Sequence, residues 1–170
     1  MAVIKRKKPL LEEKPAKAPR TPSLHDELVD RACRWLKGTC GCSVSAGELR
    51  AFTGSGEIPD AIGWRAEYSI LVECKTSRSD FFADRDKIFR IESALGVGDY
   101  RFYLCPPGVI EPSELPENWG LLYAEESRIR KVVCPTGNIW TSGENRRFIH
   151  DKNKDAEIAM LVSALRRQTG

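Results

Sequence analysis

Long apolar runs are absent from this sequence of 170 residues. No stretch approaches the roughly 18 consecutive apolar residues that a membrane-spanning helix needs, so no membrane association is predicted. The N-terminal stretch is basic but lacks the apolar segment of a secretory leader. We therefore expect a cytoplasmic or nucleoid-associated protein. If a phage encodes it, the expected compartment is the cytoplasm of the host.

Paired cysteine motifs are also missing, although the chain contains six cysteines. Without an export leader, free thiols in a reducing compartment are expected. Cys33, Cys40, Cys42 and Cys134 are candidates for a zinc or iron–sulfur site, but their spacings do not match two C-x₂-C pairs. The sequence favours structural thiols over a metal cluster.

The body of the chain lacks an excess of positive charge. The formal net charge is +3, and residues 1–22 hold seven Lys/Arg against two Glu, so 20 basic and 22 acidic residues remain for the rest. Four prolines punctuate residues 1–22, which predicts a disordered basic tail before an α/β domain at 23–170. That tail is either a solvated extension or a loose polyanion-binding arm.

Hydrophobic periodicity predicts helices and strands in an order typical of a mixed sheet. Ser23 is placed to cap the first helix, which Gly38 ends. The expected strands are 42–49, 60–64, 68–75, 100–105, 119–123 and an edge strand at 128–134; the expected helices after the first are 80–95 and 155–167. The prediction is an α/β fold with a mixed sheet of about five strands flanked by helices. In the last helix, Ile158, Leu161, Val162 and Leu165 are predicted to face the core.

Acidic and basic side chains meet at the end of the third predicted strand. Glu73 and Lys75 share one face of that strand because strand side chains alternate, and the strand before them is apolar on both faces. Asp60 begins the neighbouring strand and can reach the same point. Two converging carboxylates repel each other, and a hard cation such as Mg²⁺ relieves that repulsion and can activate water. A structural Glu–Lys pair is the simpler interpretation of E-x-K alone, but this context favours a metal site.

Pro59-Asp60 with Glu73-Cys74-Lys75 resembles the PD-(D/E)XK nuclease superfamily. The longer runs VECKTSRSDFFADRDK, DYRFYLCPPG and WGLLYAEESRIR, within about 58–133, are similar to MmcB-type DNA repair proteins and related phage-like proteins. The resemblance implies a restriction-endonuclease-like core. It also implies Asp60, Glu73 and the backbone carbonyl of Cys74 as ligands of Mg²⁺ or Mn²⁺, with Lys75 as the catalytic lysine.

Further residues are candidates around this motif. Members of the superfamily often add an acidic ligand, and Glu27 and Glu48 both remain open for that role. Ser77, Arg78 and Ser79 stand at a predicted helix N-terminus, where backbone N–H groups favour phosphate, and Lys87 follows in the same helix. His25 on the first helix is of second rank, because a histidine on an apolar face is more often structural.

Asp80 and Asp84 are also of second rank. They lie one helical turn apart and could form another carboxylate pair. An N-cap and a salt-bridge partner of Lys87 or Arg85 are the simpler interpretations.

These patterns predict a metal-dependent DNA endonuclease that hydrolyses phosphodiester bonds in repair, recombination or a phage context. The alternative is a catalytically weak or inactive DNA-binding or accessory module on the same fold, which the low charge of the body favours. The sequence does not distinguish single-stranded, branched or duplex DNA. It leaves open a homodimer and a repair or replication protein as partner.

Overall fold

A computed structural model describes residues 21–50, 56–137 and 140–169 of the chain. The protein is α/β, with a six-stranded mixed sheet flanked by helices, as predicted. The strands are β1 (Val44–Gly47), β2 (Ala61–Trp64), β3 (Ser69–Cys74), β4 (Tyr100–Cys105), β5 (Gly120–Ala124) and β6 (Ile129–Val133); the helices are α1 (Leu24–Gly38), α2 (Arg78–Arg85), α3 (Ile88–Ile91) and α4 (Lys154–Thr169). Most of the predicted tail, residues 1–20, lies outside the described residues.

The six strands follow one another in the sheet in the same order as in the sequence. The first three form an antiparallel meander, β3 pairs parallel with β4 and β4 with β5, and β6 returns antiparallel. All six strands placed from the sequence are present, including the edge strand β6, so the sheet has six strands where about five were expected. The carboxyl ends of β3, β4 and β5 therefore share one edge of the sheet with the start of β2.

Helix α1 forms where the sequence predicts it. Ser23 and Asp26 make a reciprocal capping box, in which the Ser23 hydroxyl accepts from the Asp26 N–H at 3.2 Å. The buried face of α1, with Leu28, Ala32 and Leu36 along it, packs against one side of the sheet. This packing brings the N-terminal turn of α1 to the edge where β2 begins.

The predicted helix at 80–95 is wrong in its length. Helix α2 ends at Arg85, the four-residue α3 follows, and a 3₁₀ turn spans Ser93–Leu95. The chain leaves helical geometry at Lys87, whose ψ is 136°. This break returns Arg90 to the buried side of the segment, where it pairs with carboxylates, and it leaves Ile91 68% exposed. The ion pairs of Arg90, and not the apolar periodicity, therefore determine which side of this segment is buried.

Helix α4 is present, but of the four residues predicted to face the core only Leu161 packs partly against it. Ala156, Met160 and Ala164 pack into the core, whereas Ile158, Val162 and Leu165 are exposed. Small residues allow the helix to approach the sheet closely. The first turn of α4 also carries the buried Glu157, whose Oε1 accepts a hydrogen bond of 2.6 Å from the hydroxyl of Ser69. Among the described residues, no helix has both the length and the apolar character needed to cross a membrane.

Candidate active site

Asp60 links the start of β2 to the end of β3. Its Oδ2 accepts a hydrogen bond of 2.8 Å from the backbone N–H of Cys74, and its Oδ1 lies 3.3 Å from His25 Nε2. Burial and, after it, the negative charge of Glu73 raise the pKa of Asp60 from 3.8 to about 6. The sequence-predicted neighbours Asp60, Glu73 and Cys74 therefore come together at one edge of the sheet.

Glu73 is only 2% exposed and its carboxylate lies against two cations. Oε1 is 2.8 Å from Arg90 Nη2, and Oε2 is 3.5 Å from Lys75 Nζ. A buried carboxylate without such partners would carry a large desolvation penalty. The charge of Glu73 is thus already balanced by protein groups.

Lys75 points into the same buried cluster. Its Nζ lies 3.3 Å from Asp84 Oδ1 and 4.0 Å from Asp80 Oδ1, besides its contact with Glu73. Burial alone would lower the pKa of Lys75, but the charges of Glu73 and Asp84 outweigh burial and raise that pKa. The lysine is therefore held as an ammonium ion.

Arg90 and Glu57 are central residues that the sequence reasoning missed. Arg90 Nη1 lies 2.5 Å from Glu57 Oε1, and its Nε lies 2.8 Å from Asp84 Oδ2. Glu57 also accepts the N–H of Val97 at 2.9 Å. The available signal was an arginine inside the otherwise apolar stretch Ile88–Ile91, which indicates a buried, paired guanidinium.

Asp84 belongs to this cluster as well as forming the predicted salt bridge with Lys87. It is buried, contacts Lys75 and Arg90, and accepts from the hydroxyl of Tyr103 at 3.0 Å. Burial would raise its pKa, yet Arg90 and Lys75 outweigh burial and hold the pKa of Asp84 well below its usual range. The expected partner Lys87 is also present at 2.7 Å, so the pairing was predicted and the burial was not.

His25 stands on the solvent side of Asp60. Ligand atoms of His25, Asp26 and Glu48 all lie within 4.8 Å of one another. Glu48 directly follows β1 with a φ of 44°, a left-handed conformation uncommon for glutamate, and its N–H donates to the backbone carbonyl of Asp60 at 2.9 Å. A strained residue beside such a group is characteristic of functional sites.

Glu48 and Glu27, the two candidates for an additional acidic ligand, lie in different surroundings. Glu48 lies with His25 beside Asp60, whereas Glu27 lines a groove with Arg31 and Arg34. The structure thus groups Glu48, and not Glu27, with His25. His25, predicted to face the core, lies instead at its boundary.

The predicted phosphate-binding residues lie around the N-terminus of α2. Ser77 is its N-cap, accepting from the N–H of Asp80 at 3.2 Å, so the interpretation of Asp80 as N-cap is wrong. The hydroxyls of Ser77 and Ser79 lie 3.0 Å apart at the surface. Arg78 makes two hydrogen bonds to Glu114, at 3.0 and 2.5 Å. Arg78 and Lys87 would therefore have to exchange a carboxylate partner for a phosphate.

All six cysteines are free thiols. Burial raises the pKa of Cys42 and of Cys134 to about 11 each. Within the described ranges, no three thiols come as close together as the His25 group does.

Comparisons with known proteins identify the fold and leave the family open. No family model matches the chain, and no curated protein matches it. The chain is similar to a solved structure, the SPO1766 protein of unknown function from Silicibacter pomeroyi. The two share 26% sequence identity at a TM-score of 0.54, over 83% of this chain and 86% of that one. The similarity shows that a solved protein has the same fold.

Proposed function

We propose that this protein is a metal-dependent DNA endonuclease that hydrolyses phosphodiester bonds, acting in repair or recombination or in a phage. One observation carries the proposal: Asp60 is held by the Cys74 N–H at the sheet edge where Glu73 and Lys75 also lie. This arrangement supports the resemblance to PD-(D/E)XK nucleases and MmcB-type proteins. A buried carboxylate pair beside a lysine is also unusual for a purely structural strand end.

The donor atoms near Asp60 fit Mg²⁺ or Mn²⁺. His25 Nε2 lies 3.3 Å from Asp60 Oδ1, and ligand atoms of Asp26 and Glu48 lie within 4.8 Å of one from His25. The carboxylates supply the oxygens that these cations prefer, and the imidazole favours Mn²⁺ over Mg²⁺. Burial and the nearby charge of Glu73 raise the pKa of Asp60, and a bound cation would favour its ionised form. A bound ion would polarise a phosphate oxygen and supply a water nucleophile.

Glu73 and Lys75 take more limited roles in this proposal. Glu73 could bind the metal only if it released Arg90. Asp60 is therefore the predicted metal ligand on which the proposal depends most. Because Lys75 is held protonated, it offsets negative charge that develops on the phosphate and does not accept a proton.

The test is cleavage of single-stranded, nicked and branched DNA by the purified chain with Mn²⁺. Asp60→Asn and Lys75→Met should each lower the cleavage rate by at least about 100-fold. Lys37→Met is the matched control, because Lys37 is an exposed lysine in the last turn of α1, and it should retain the wild-type rate. Cleavage that survives both Asp60→Asn and Lys75→Met would refute the proposal, as would an inactive wild-type chain.

One observation favours the second candidate function, a DNA-binding or accessory module with little catalysis. Both oxygens of Glu73 face protein cations, so the predicted second metal ligand is occupied in the described conformation. Such a module would bind DNA without added metal, and its affinity would fall steeply with salt. Salt-sensitive binding by a chain that never cuts DNA would favour this function over the nuclease.

A further inference from the structure

A pocket of about 440 Å³ lies between the α3 segment and the loop that leads into α4. Arg90 and Arg101 both line it, and both are almost wholly buried, with 2% of the Arg90 side chain and 1% of Arg101 exposed. Arg101 belongs to β4, whose six residues are all buried. The inner wall of the pocket therefore carries two guanidinium groups that are largely shielded from water.

The two arginines differ in their counterions. Arg90 contacts the three carboxylates described above, so its charge is balanced. The partners of Arg101 are backbone carbonyls: Nε donates to that of Gly98 at 3.2 Å, and Nη2 to those of Ser93 at 2.7 Å and Asp151 at 2.9 Å. Within the part of the chain that the structure describes, Nη1 of Arg101 donates no hydrogen bond and its guanidinium forms no ion pair with a carboxylate. Arg101 is thus a buried cation whose Nη1 has two N–H groups left to donate.

The titration of the groups in this pocket reflects the charge of Arg101. Burial, with the positive charge of Arg90, lowers the pKa of Arg101 to about 10, although more distant carboxylates raise it. The group is still a cation at neutral pH. Burial and the charge of Arg101 also lower the pKa of His150, which lines the same pocket, to about 4. An anion bound in the pocket would supply the counterion that the described residues do not provide.

The size and the mouth of the pocket indicate what kind of anion it suits. Sites for small molecules typically enclose about 300–1,000 Å³, so this pocket has room for more than a bare oxyanion. Glu117 and Asp151 line it with exposed side chains, and Ile149, also in the lining, is 37% exposed. Carboxylates at the mouth disfavour a polyanion such as a nucleic acid strand, because its further phosphates would lie close to them. A small molecule with a single phosphate group that reaches Arg101 avoids most of this repulsion.

We propose that this pocket binds the phosphate group of a small phosphorylated molecule, with Arg101 as its counterion. Arginine suits this task because its planar guanidinium donates directed hydrogen bonds to phosphate oxygens. The three backbone carbonyls that hold Nε and Nη2 fix the guanidinium in place, so that Nη1 is left to meet the ligand. The inference goes beyond the nuclease proposal and does not depend on it.

The test is isothermal titration calorimetry of the full chain in EDTA, which keeps metal ions from contributing. Ribose 5-phosphate and adenosine 5′-monophosphate are the probes, and inorganic phosphate, ribose and adenosine are titrated beside them. The probes should bind with a dissociation constant between about 10 µM and 1 mM, and inorganic phosphate at least about threefold more weakly. Ribose and adenosine should not bind. The probe that binds more tightly identifies sugar phosphate or nucleotide as the source of the phosphate group.

A charge added at the mouth tests the location. Ile149→Glu should raise the dissociation constant of ribose 5-phosphate at least about tenfold, because the new carboxylate repels the phosphate. Ile158→Glu is the matched control, since it makes the same change at an isoleucine that is 61% exposed and does not line this pocket. Its dissociation constant should equal that of the wild type.

A charge removed at the mouth should have the opposite effect. Glu117→Gln should lower the dissociation constant of ribose 5-phosphate about two- to fivefold, because one repelling carboxylate is lost. Glu67→Gln, at another exposed glutamate, is the matched control and should leave the constant unchanged.

Arg101→Gln removes the cation itself and should abolish detectable binding. Because Arg101 is buried, circular dichroism has to show that this variant is folded. If it is unfolded, the opposite effects of Ile149→Glu and Glu117→Gln still test the pocket, since both positions are exposed.

Backbone amide resonances of the nitrogen-15-labelled chain should report where the probe binds. Ribose 5-phosphate should shift the amides of Ser93, Asn118 and His150, which all line the pocket. Asp60→Asn should bind the probe as the wild type does. Failure of the pocket and failure of the nuclease proposal therefore remain distinct.

Four results would each overturn the proposal. The first is a wild type that binds neither probe at concentrations up to about 10 mM. The second is equal affinity for ribose and for ribose 5-phosphate. The third is equal affinity of the Ile149→Glu and Ile158→Glu chains for the probe, or unchanged binding by a folded Arg101→Gln chain. The fourth is a set of amide shifts confined to the N-terminus of α2.

Discussion

The guanidinium of Arg90 lies 2.8 Å from the carboxylate of Glu73, although 16 residues and a broken helix separate them in the chain. This pair joins the end of β3 to the crossover segment. Arg90 also reaches Glu57 and Asp84, so one guanidinium balances carboxylates from three parts of the chain. Fold and candidate site therefore depend on the same side chain.

Replacing Arg90 by methionine should destabilise the protein. The substitution preserves much of the side-chain volume but leaves Glu57, Glu73 and Asp84 without a shared cation. Removing one partner of a buried ion pair typically costs about 3–5 kcal/mol, so we expect a loss of that size in the free energy of unfolding. Urea denaturation measures it.

Arg34→Met is the control for this prediction. Arg34 is exposed on α1, and its replacement should change the free energy of unfolding by no more than about 0.5 kcal/mol. A loss below about 1 kcal/mol for Arg90→Met would show that the buried network contributes little to stability.

The affinity for Mn²⁺ should depend on pH through Asp60. Its pKa of about 6 lies above the ordinary value of 3.8, and the cation binds the carboxylate form. Above about pH 6 protonation of this group no longer opposes binding. Below that value the affinity should fall about tenfold for each pH unit as this group becomes protonated. Isothermal titration calorimetry in two buffers of different ionisation enthalpy would report both the affinity and the protons released.

The raised pKa of Asp60 also makes the stability of the metal-free protein depend on pH. Because the folded pKa of Asp60 is raised, its contribution is most favourable at low pH, and the folded state loses stability as pH rises from about 4 to about 6. Asp60→Asn should remove this component of the pH dependence. A variant that keeps the wild-type pH profile of both stability and Mn²⁺ affinity would contradict the role given to Asp60.

Glu48→Gly should stabilise the chain and weaken metal binding at the same time. The φ of 44° is unfavourable for glutamate and costs glycine little, so relief of roughly 1 kcal/mol is expected. Loss of the carboxylate should lower Mn²⁺ affinity about tenfold or more. Thermal unfolding and calorimetry on one preparation test both effects. Unchanged affinity would remove Glu48 from the proposed metal site.

Gly120→Ala should weaken the sheet where β4 meets β5. A Cβ at this position would lie 2.2 Å from Cδ1 of Phe102, inside the core. Overpacking of this kind typically costs about 1–3 kcal/mol, which chemical denaturation would measure.

Gly38→Ala is the matched control for Gly120→Ala. A Cβ at Gly38 would meet nothing within 4 Å at the end of α1. It should leave stability unchanged or raise it by up to about 1 kcal/mol. Equal effects of the two substitutions would contradict the packing argument.

The sequence predicted those elements whose position depends on residues close together in the chain, such as a helix cap or an apolar strand. The capping box of Ser23 fixes the start of α1, and the apolar strand before Glu73 identifies the buried centre of the sheet. The helix at 80–95 could not be predicted correctly, because its break depends on Arg90 meeting carboxylates distant in sequence. The orientation of α4 likewise depends on Glu157 reaching Ser69, a contact across 88 residues.

The site followed the same division between local and distant information. Glu73 and Lys75 could be identified because side chains alternate along a strand. Asp60 could be identified because a turn pairs its strand with theirs. Neither signal reports that Glu73 is held by Arg90, nor that His25 faces Asp60. Those contacts depend on the packing of α1 and of the crossover segment, which periodicity does not determine.

The two edges of the sheet carry different protection against unwanted strand pairing. Strand β1 is only four residues long, whereas β6 exposes Arg130 and Lys131 along its length. Short edges and edge lysines both discourage an added strand from another molecule. Unfolding intermediates that keep the sheet should therefore resist β-aggregation better than those that lose β6. A destabilised variant should aggregate through the segments that are buried in the native protein, and peptides from β3 or β4 are where fibre formation should be sought.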